Sequence, residues 1–208
     1  MKNYLKKEYK KNRKLRINHS YLVEQFSDYS KIFKEIEKIV KRGDYTLGQE
    51  VNEFEKNFAK RVGAKFVIAV GNGTDALYLS LKALNIGKGD EVITVPYTFI
   101  STVGAIATAG AKPVFVDIDP KTLIMSFDDL KRKYSKDCVA VIAVHFNGQP
   151  CEMEKIVPWA KRKGLLVIED CAQTCGGNYK GKKLGTWGDF GCFSFQEIKI
   201  MTTGGDGG

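Results

Sequence analysis

The chain has 208 residues, 43% hydrophobic and 27% charged, with 33 Lys and Arg against 24 Asp and Glu for a formal net charge of +9. That balance excludes a wholly disordered chain and a disulfide miniprotein, and the length allows one large core or two small ones. The five cysteines contain no C-x-x-C pair and only two histidines accompany them, so reduced thiols are expected and a structural zinc site is not.

In chain order, residues 1–16 come first and hold eight Lys or Arg against one Glu. Nearly all of the basic excess sits there, in a terminal run without an apolar stripe, which reads as a solvated, flexible leader and argues against a nucleic-acid footprint. No apolar run of about seven residues follows it, so no secretory signal is read and a cytoplasmic protein is expected. Two helices are predicted next. In 31–44 the residues Ile32, Phe33, Ile36, Ile39 and Val40 recur at helical spacing before Gly43, and in 49–62 Val51, Phe54, Phe58 and Val62 do the same.

From residue 65 the pattern changes to short apolar runs, at 65–70, 92–95, 113–118, 138–144, 165–170 and 190–195, with helix-period segments between the first five. Runs that are continuous rather than alternating are buried on both faces, as in a parallel sheet covered by helices. The expected fold is α/β, a three-layer sandwich around a mostly parallel sheet. The uncharged stretch 94–111 has the length of a membrane span, but Pro96, its glycines and its hydroxyl residues argue against one. The domain reading is a basic leader over 1–16, an N-terminal helical segment over 17–64 and a ligand-binding large domain over 65–208. The ending TTGGDGG is a glycine-rich turn with no element after it, so a truncated large domain is expected, with a smaller C-terminal domain absent.

Ligands of open α/β sheets bind beyond the carboxyl ends of the strands, so the residues there carry the chemistry. The first junction is Gly71-Asn72-Gly73-Thr74-Asp75, small residues at the start of a helix and a natural phosphate site. Gly71-x-Gly73-x-x-Ala76 also spells the dinucleotide fingerprint, but that fingerprint needs an acid at the end of the second strand, and Asp90 and Glu91 precede it. A nicotinamide or flavin is disfavoured. At the next junction Tyr97 and Phe99 are either stacking plates or core. Asp170 at the tip of the fifth run is either a helix cap or the partner of a protonated ring nitrogen, with Gln173 three residues on. Ser194 lies at the strand end in the sixth run and Lys199 follows five residues later. A phosphate cradle, an aromatic plate, a buried aspartate and a lysine are used together by one cofactor, pyridoxal 5′-phosphate (PLP).

These motifs, with GDYTLGQEVNEFEKNFA, GAKPVFVDID, HFNGQP and GTWGDFGCFSF, run in order from about Arg42 to Gly208. Together they resemble the DegT/DnrJ/StrS sugar aminotransferases, enzymes of the type I PLP aminotransferase fold. The resemblance implies that Lys199 is the lysine that carries the cofactor as a Schiff base and moves protons in catalysis. It implies that Asp170 pairs with the pyridinium nitrogen, that Gln173 neighbours the ring hydroxyl and that Phe99 stacks on the ring. Gly73, Thr74, Asp75 and Ser194 correspond to the phosphate cradle, and His145 falls near the site with its role open. Asn147 stands where the family commonly has tyrosine. The implied reaction passes an amine, with glutamate the expected donor, to a keto sugar, often nucleotide-linked, for surface polysaccharide or lipopolysaccharide, in a homodimer and without a metal. Alternatives are a PLP-dependent dehydratase of the same family and a non-catalytic PLP-binding remnant.

Overall fold

The computed structural model describes residues 22–208, in two compact units divided between Tyr45 and Thr46. The basic leader and the start of the helical segment lie outside the described residues. The first unit holds α1 (Leu22–Gln25) and α2 (Tyr29–Arg42). Helix α2 ends where expected: Gly43 takes the left-handed conformation, φ 71°, and its N–H donates to the carbonyls of Ile39 and Val40.

The second unit opens with α3 (Gln49–Val62), stopped in the same way by Gly63 at φ 76°. Residues 65–70 were expected to form a strand, and they do not. Val70 alone exchanges both backbone hydrogen bonds with another residue, Gly208, at 2.9 and 3.0 Å, and the Ala69 N–H donates to a Glu55 carboxylate. One bonded pair is not a ladder, and apolar composition cannot create a strand without a neighbour to bond along its length.

The remaining runs build the sheet. Helix α4 (Gly73–Ala83) leads to β1 (Glu91–Thr94), α5 (Ile100–Ala109) and β2 (Lys112–Phe115). Then come α6 (Phe127–Lys133), β3 (Cys138–Val144), α7 (Met153–Lys163) and β4 (Leu166–Asp170). A two-stranded ribbon, β5 (Asn178–Tyr179) with β6 (Lys182–Lys183), precedes β7 (Phe190–Cys192). The five-stranded sheet has the order β2-β1-β3-β4-β7, every pair parallel. The connection β1-α5-β2 runs one way across the sheet and β3-α7-β4 the other. Right-handed crossovers therefore place α5 and α7 on opposite faces, which makes the three layers. The order reverses between β1 and β3, and a crevice opens at such a switch point on the carboxyl side.

The core explains the continuous apolar runs. Ile93, Val141, Ile142 and Ile168 of the central strands are inaccessible, as are Leu81, Ile106 and Ile156 of the covering helices. A second cluster joins Phe58 and Val62 of α3 to Cys171, Leu184, Phe193 and Phe195. Phe58 meets Phe193 and Phe195 edge to face, with ring centroids 5.1 and 5.3 Å apart. This fixes α3 against the segment that carries Ser194. All five cysteines are free thiols. Burial pushes Cys151 and Cys192 up to about 12, which keeps them protonated and unreactive. Among the described residues no helix is long and apolar enough to cross a membrane.

Candidate functional site

Asp170 is the last residue of β4 and lies in the carboxyl-end layer expected for it. It is 7% exposed, and its two oxygens are held separately. Oδ2 accepts from the Thr102 hydroxyl at 2.8 Å, and Oδ1 from the Ala172 N–H at 3.1 Å. Thr102 sits on α5, is inaccessible, and lies 2.7 Å from the Thr98 hydroxyl. Because Thr102 spends its proton on Asp170, Thr98 is the donor in that pair, and the carboxylate ends a short ordered chain. Desolvation pushes the Asp170 carboxyl above its usual range, while the Ala172 and Thr102 donors and the positive charge of Lys199 act in the opposite direction. A buried carboxylate whose donors offset its burial only in part is a receptor for a cation. Asp170 here is not an ordinary helix cap, since no helix follows it.

Lys199 is half-buried in a turn, its N–H donating to the Gln196 carbonyl, between the exposed Ile198 and Ile200. The chain then returns: Phe195 N–H donates to the Gly207 carbonyl and Thr203 N–H to that of Phe195.

The cradle is assembled from α4 and the end of the β7 segment. A Cβ on Gly73 would stand 2.8 Å from the Ser194 Cβ and 3.3 Å from its hydroxyl, so only glycine lets the helix start approach the serine. Asn72 caps α4, its side chain accepting the Asp75 N–H at 2.8 Å. The Asp75 amide is therefore committed within the helix, and its carboxylate lies against Gly71. Thr74 links α4 to α5 through a 2.8 Å hydroxyl contact with Ser101. Phe99 is the N-cap residue of α5 and is 65% exposed, which separates it from the core and leaves its ring available as a plate. Tyr97 instead packs on Phe146, with centroids 4.4 Å apart.

Gln173 accepts the Asn147 N–H through Oε1, so its amide NH2 is turned away as a donor. Asn147 has φ 51°, a left-handed conformation that asparagine tolerates better than most side chains. The sequence pointed to Asp170, Ser194 and the α4 junction, Asn72 included, but not to the capping role of Asn72 or to Thr98, Ser101 and Thr102. A signal existed for Asn72, an Asn three residues before Asp75 at a helix start. The threonine chain had none, because its partner is 68 residues away.

A small anion and a planar cation suit this arrangement together: a helix start and a serine for the anion, and a buried carboxylate, compensated only in part, for the cation. Replacing Gly73 by alanine should push Ser194 away and weaken PLP binding about tenfold, within the range of small-to-large substitutions in packed sites. Fluorescence titration would check this, with the melting temperature showing that the fold persists.

A model of the DegT/DnrJ/EryC1/StrS aminotransferase family matches residues 27–208. GDP-perosamine synthase of Escherichia coli O157:H7 is 46% identical over 160 residues, which cover 77% of this chain and 44% of that one. The structure of DesV from S. venezuelae superposes with a TM-score of 0.88 at 31% identity, covering 92% of this chain and 52% of DesV. The PLP form of the putative sugar aminotransferase Spr1654 from Streptococcus pneumoniae gives 0.76 at 28% identity, over 83% of this chain and 49% of that one. The fold is the α/β fold shared with these aminotransferase structures. The chain belongs to the DegT/DnrJ/EryC1/StrS aminotransferase family, and it spans about half the length of the curated relatives it matches.

Proposed function

We propose that this chain is the cofactor-binding portion of a PLP-dependent sugar aminotransferase, with Lys199 as its catalytic residue. The observation that carries the reading is the buried Asp170 carboxylate at the sheet's carboxyl edge, held by the Thr102 hydroxyl and the Ala172 N–H, together with the Gly73 approach to Ser194 at the start of α4. Gly73, Thr74 and Ser194 would hold the phosphate, aided by the partial positive charge of the α4 N-terminus, with Asp75 beside them. Phe99 would cover one face of the ring, and the free NH2 of Gln173 would donate to the ring oxygen. Asp170 would keep the ring nitrogen protonated, since a carboxylate beside it raises its proton affinity. When bound, PLP supplies an electron-withdrawing ring that loosens the Cα–H bond of an amino donor. Lys199 Nζ would tether the cofactor and, once displaced by the donor, would carry the proton away from that Cα.

The amino donor is glutamate and the acceptor a keto sugar, in nucleotide-linked form as the name GDP-perosamine synthase suggests for that relative. The product serves surface polysaccharide or lipopolysaccharide synthesis, and the enzyme works as a cytoplasmic homodimer. The test is the first half-reaction: PLP-loaded protein mixed with glutamate, without sugar, should release one equivalent of 2-oxoglutarate per bound PLP. In the full-length protein, binding of PLP without that release would overturn the aminotransferase reading in favour of a non-catalytic binder.

A further inference from the structure

Next to Asp170 in β4 stands Glu169, which is inaccessible to solvent, as is the His145 side chain beside it. Successive strand residues point to opposite faces, so Glu169 turns away from the Asp170 side. Its carboxylate accepts four hydrogen bonds. Oε1 takes the N–H groups of Trp187 at 2.6 Å and Gly188 at 2.9 Å, and Oε2 takes the N–H of Gly185 at 2.9 Å and His145 Nε2 at 3.0 Å. The His145 tautomer follows from its other nitrogen. Nδ1 accepts the Cys151 N–H at 3.1 Å, so the ring proton is on Nε2 and is given to Glu169. Cys171 completes a trio whose donor atoms lie within 4.8 Å of one another. Both Glu169 oxygens and both His145 nitrogens are already engaged, so Glu169 and His145 form a hydrogen-bond hub.

The loop that Glu169 holds is pressed onto the sheet. A Cβ on Gly188 would stand 2.4 Å from the Val167 carbonyl oxygen, and one on Gly191 would stand 2.2 Å from that of Gly185. Asp189 closes the contact by donating its N–H to Val167 and accepting the Val167 N–H. From there β7 runs alongside β4, with Gly191 beside Glu169 and Cys192 beside Asp170, and delivers Ser194 to Gly73. His145, at the exit of β3, begins the segment whose Asn147 holds Gln173.

The structure assigns Glu169 as a positioning residue: its carboxylate fixes the 185–188 loop, and through it the Ser194 half of the anion cradle, to the strand that carries Asp170. His145 is its fixed-tautomer fourth donor and not a proton carrier in the reaction. The last step rests on the cofactor reading above. The test is Glu169→Gln, whose amide nitrogen cannot accept and so confronts backbone N–H groups with another donor. Amide exchange at Gly185, Trp187 and Gly188 should accelerate about tenfold or more while β3 stays protected, and PLP affinity should fall about tenfold, the effect of an unpaired buried donor. The buried truncation Leu130→Ala controls for general destabilisation and should leave affinity unchanged. If E169Q does not fold, His145→Gln keeps three backbone donors and should accelerate exchange chiefly at Gly185, which shares Oε2. In wild type, nitrogen NMR should find His145 as the Nε2–H tautomer. Unchanged loop exchange, or equal PLP affinity in wild type and E169Q, overturns the inference. A wild type that takes up no PLP overturns the cofactor reading instead.

Discussion

Replacing Lys199 by alanine should abolish covalent attachment of PLP while leaving the protein folded. Borohydride treatment of wild type with PLP should yield one stable adduct, mapped to Lys199 by peptide mass spectrometry, and the variant should yield none at that position. Stability should change by no more than about 0.5 kcal/mol, because the side chain is half-buried in a turn between exposed neighbours and supports no packed cluster. Non-covalent binding should survive in weakened form, since the helix start, Ser194 and Asp170 are untouched. The glutamate half-reaction should fall by at least about 10²–10⁴-fold, the contribution expected of a positioned proton carrier alone. An adduct on a different lysine in the wild type would remove Lys199 from its role.

The architecture was legible wherever burial dictates composition. Strand β3 covers 138–144 in the sequence reading and in the structure alike, because a central strand covered on both faces has to be apolar throughout. Helices α2 and α3 end on glycines because a left-handed residue terminates a helix at little steric cost. The run 65–70 misled for a complementary reason: strand identity depends on a hydrogen-bonding neighbour, and that information is not local.

The site divides along the same line. Asp170, Ser194 and the Gly73 junction could be found because the carboxyl edge of a parallel sheet is the expected ligand side. Thr98 and Thr102 could not, since their importance comes from facing Asp170 across 68 residues of sequence. Glu169 carried a usable clue. Two adjacent acids at the tip of one strand cannot both face the ligand, so one had to find donors on the other side, and the GTWGD turn with its crowded glycines was the segment able to supply them.

The second large effect concerns Asp170→Asn, and its sign reverses with the cofactor. Without PLP, burial raises the Asp170 carboxyl above its unfolded value of 3.8. The folded state then binds the proton more tightly than the unfolded state does. Its destabilising contribution is absent below about pH 3.8, grows as the pH rises towards the folded value, and is complete above it. Asparagine has no charge to desolvate. Its oxygen can accept the fixed Ala172 N–H, and the Thr102 hydroxyl can rotate to accept from its amide. Cofactor-free D170N should therefore lack this pH slope and match or exceed wild type in stability at neutral pH, the difference vanishing in acid. With PLP the order should invert. The pyridinium charge compensates the wild-type carboxylate, so wild type gains melting temperature on loading and D170N gains little. A carboxylate at a ring nitrogen raises its proton affinity by about 1–3 units, so the half-reaction with glutamate should slow about 10–10³-fold in the variant. Calorimetry from pH 3 to pH 8, with and without PLP, reads the stability terms, and stopped-flow absorbance reads the rate. Parallel pH–stability curves for the two cofactor-free proteins would mean that Asp170 is not the strained charge on which the proposed site depends.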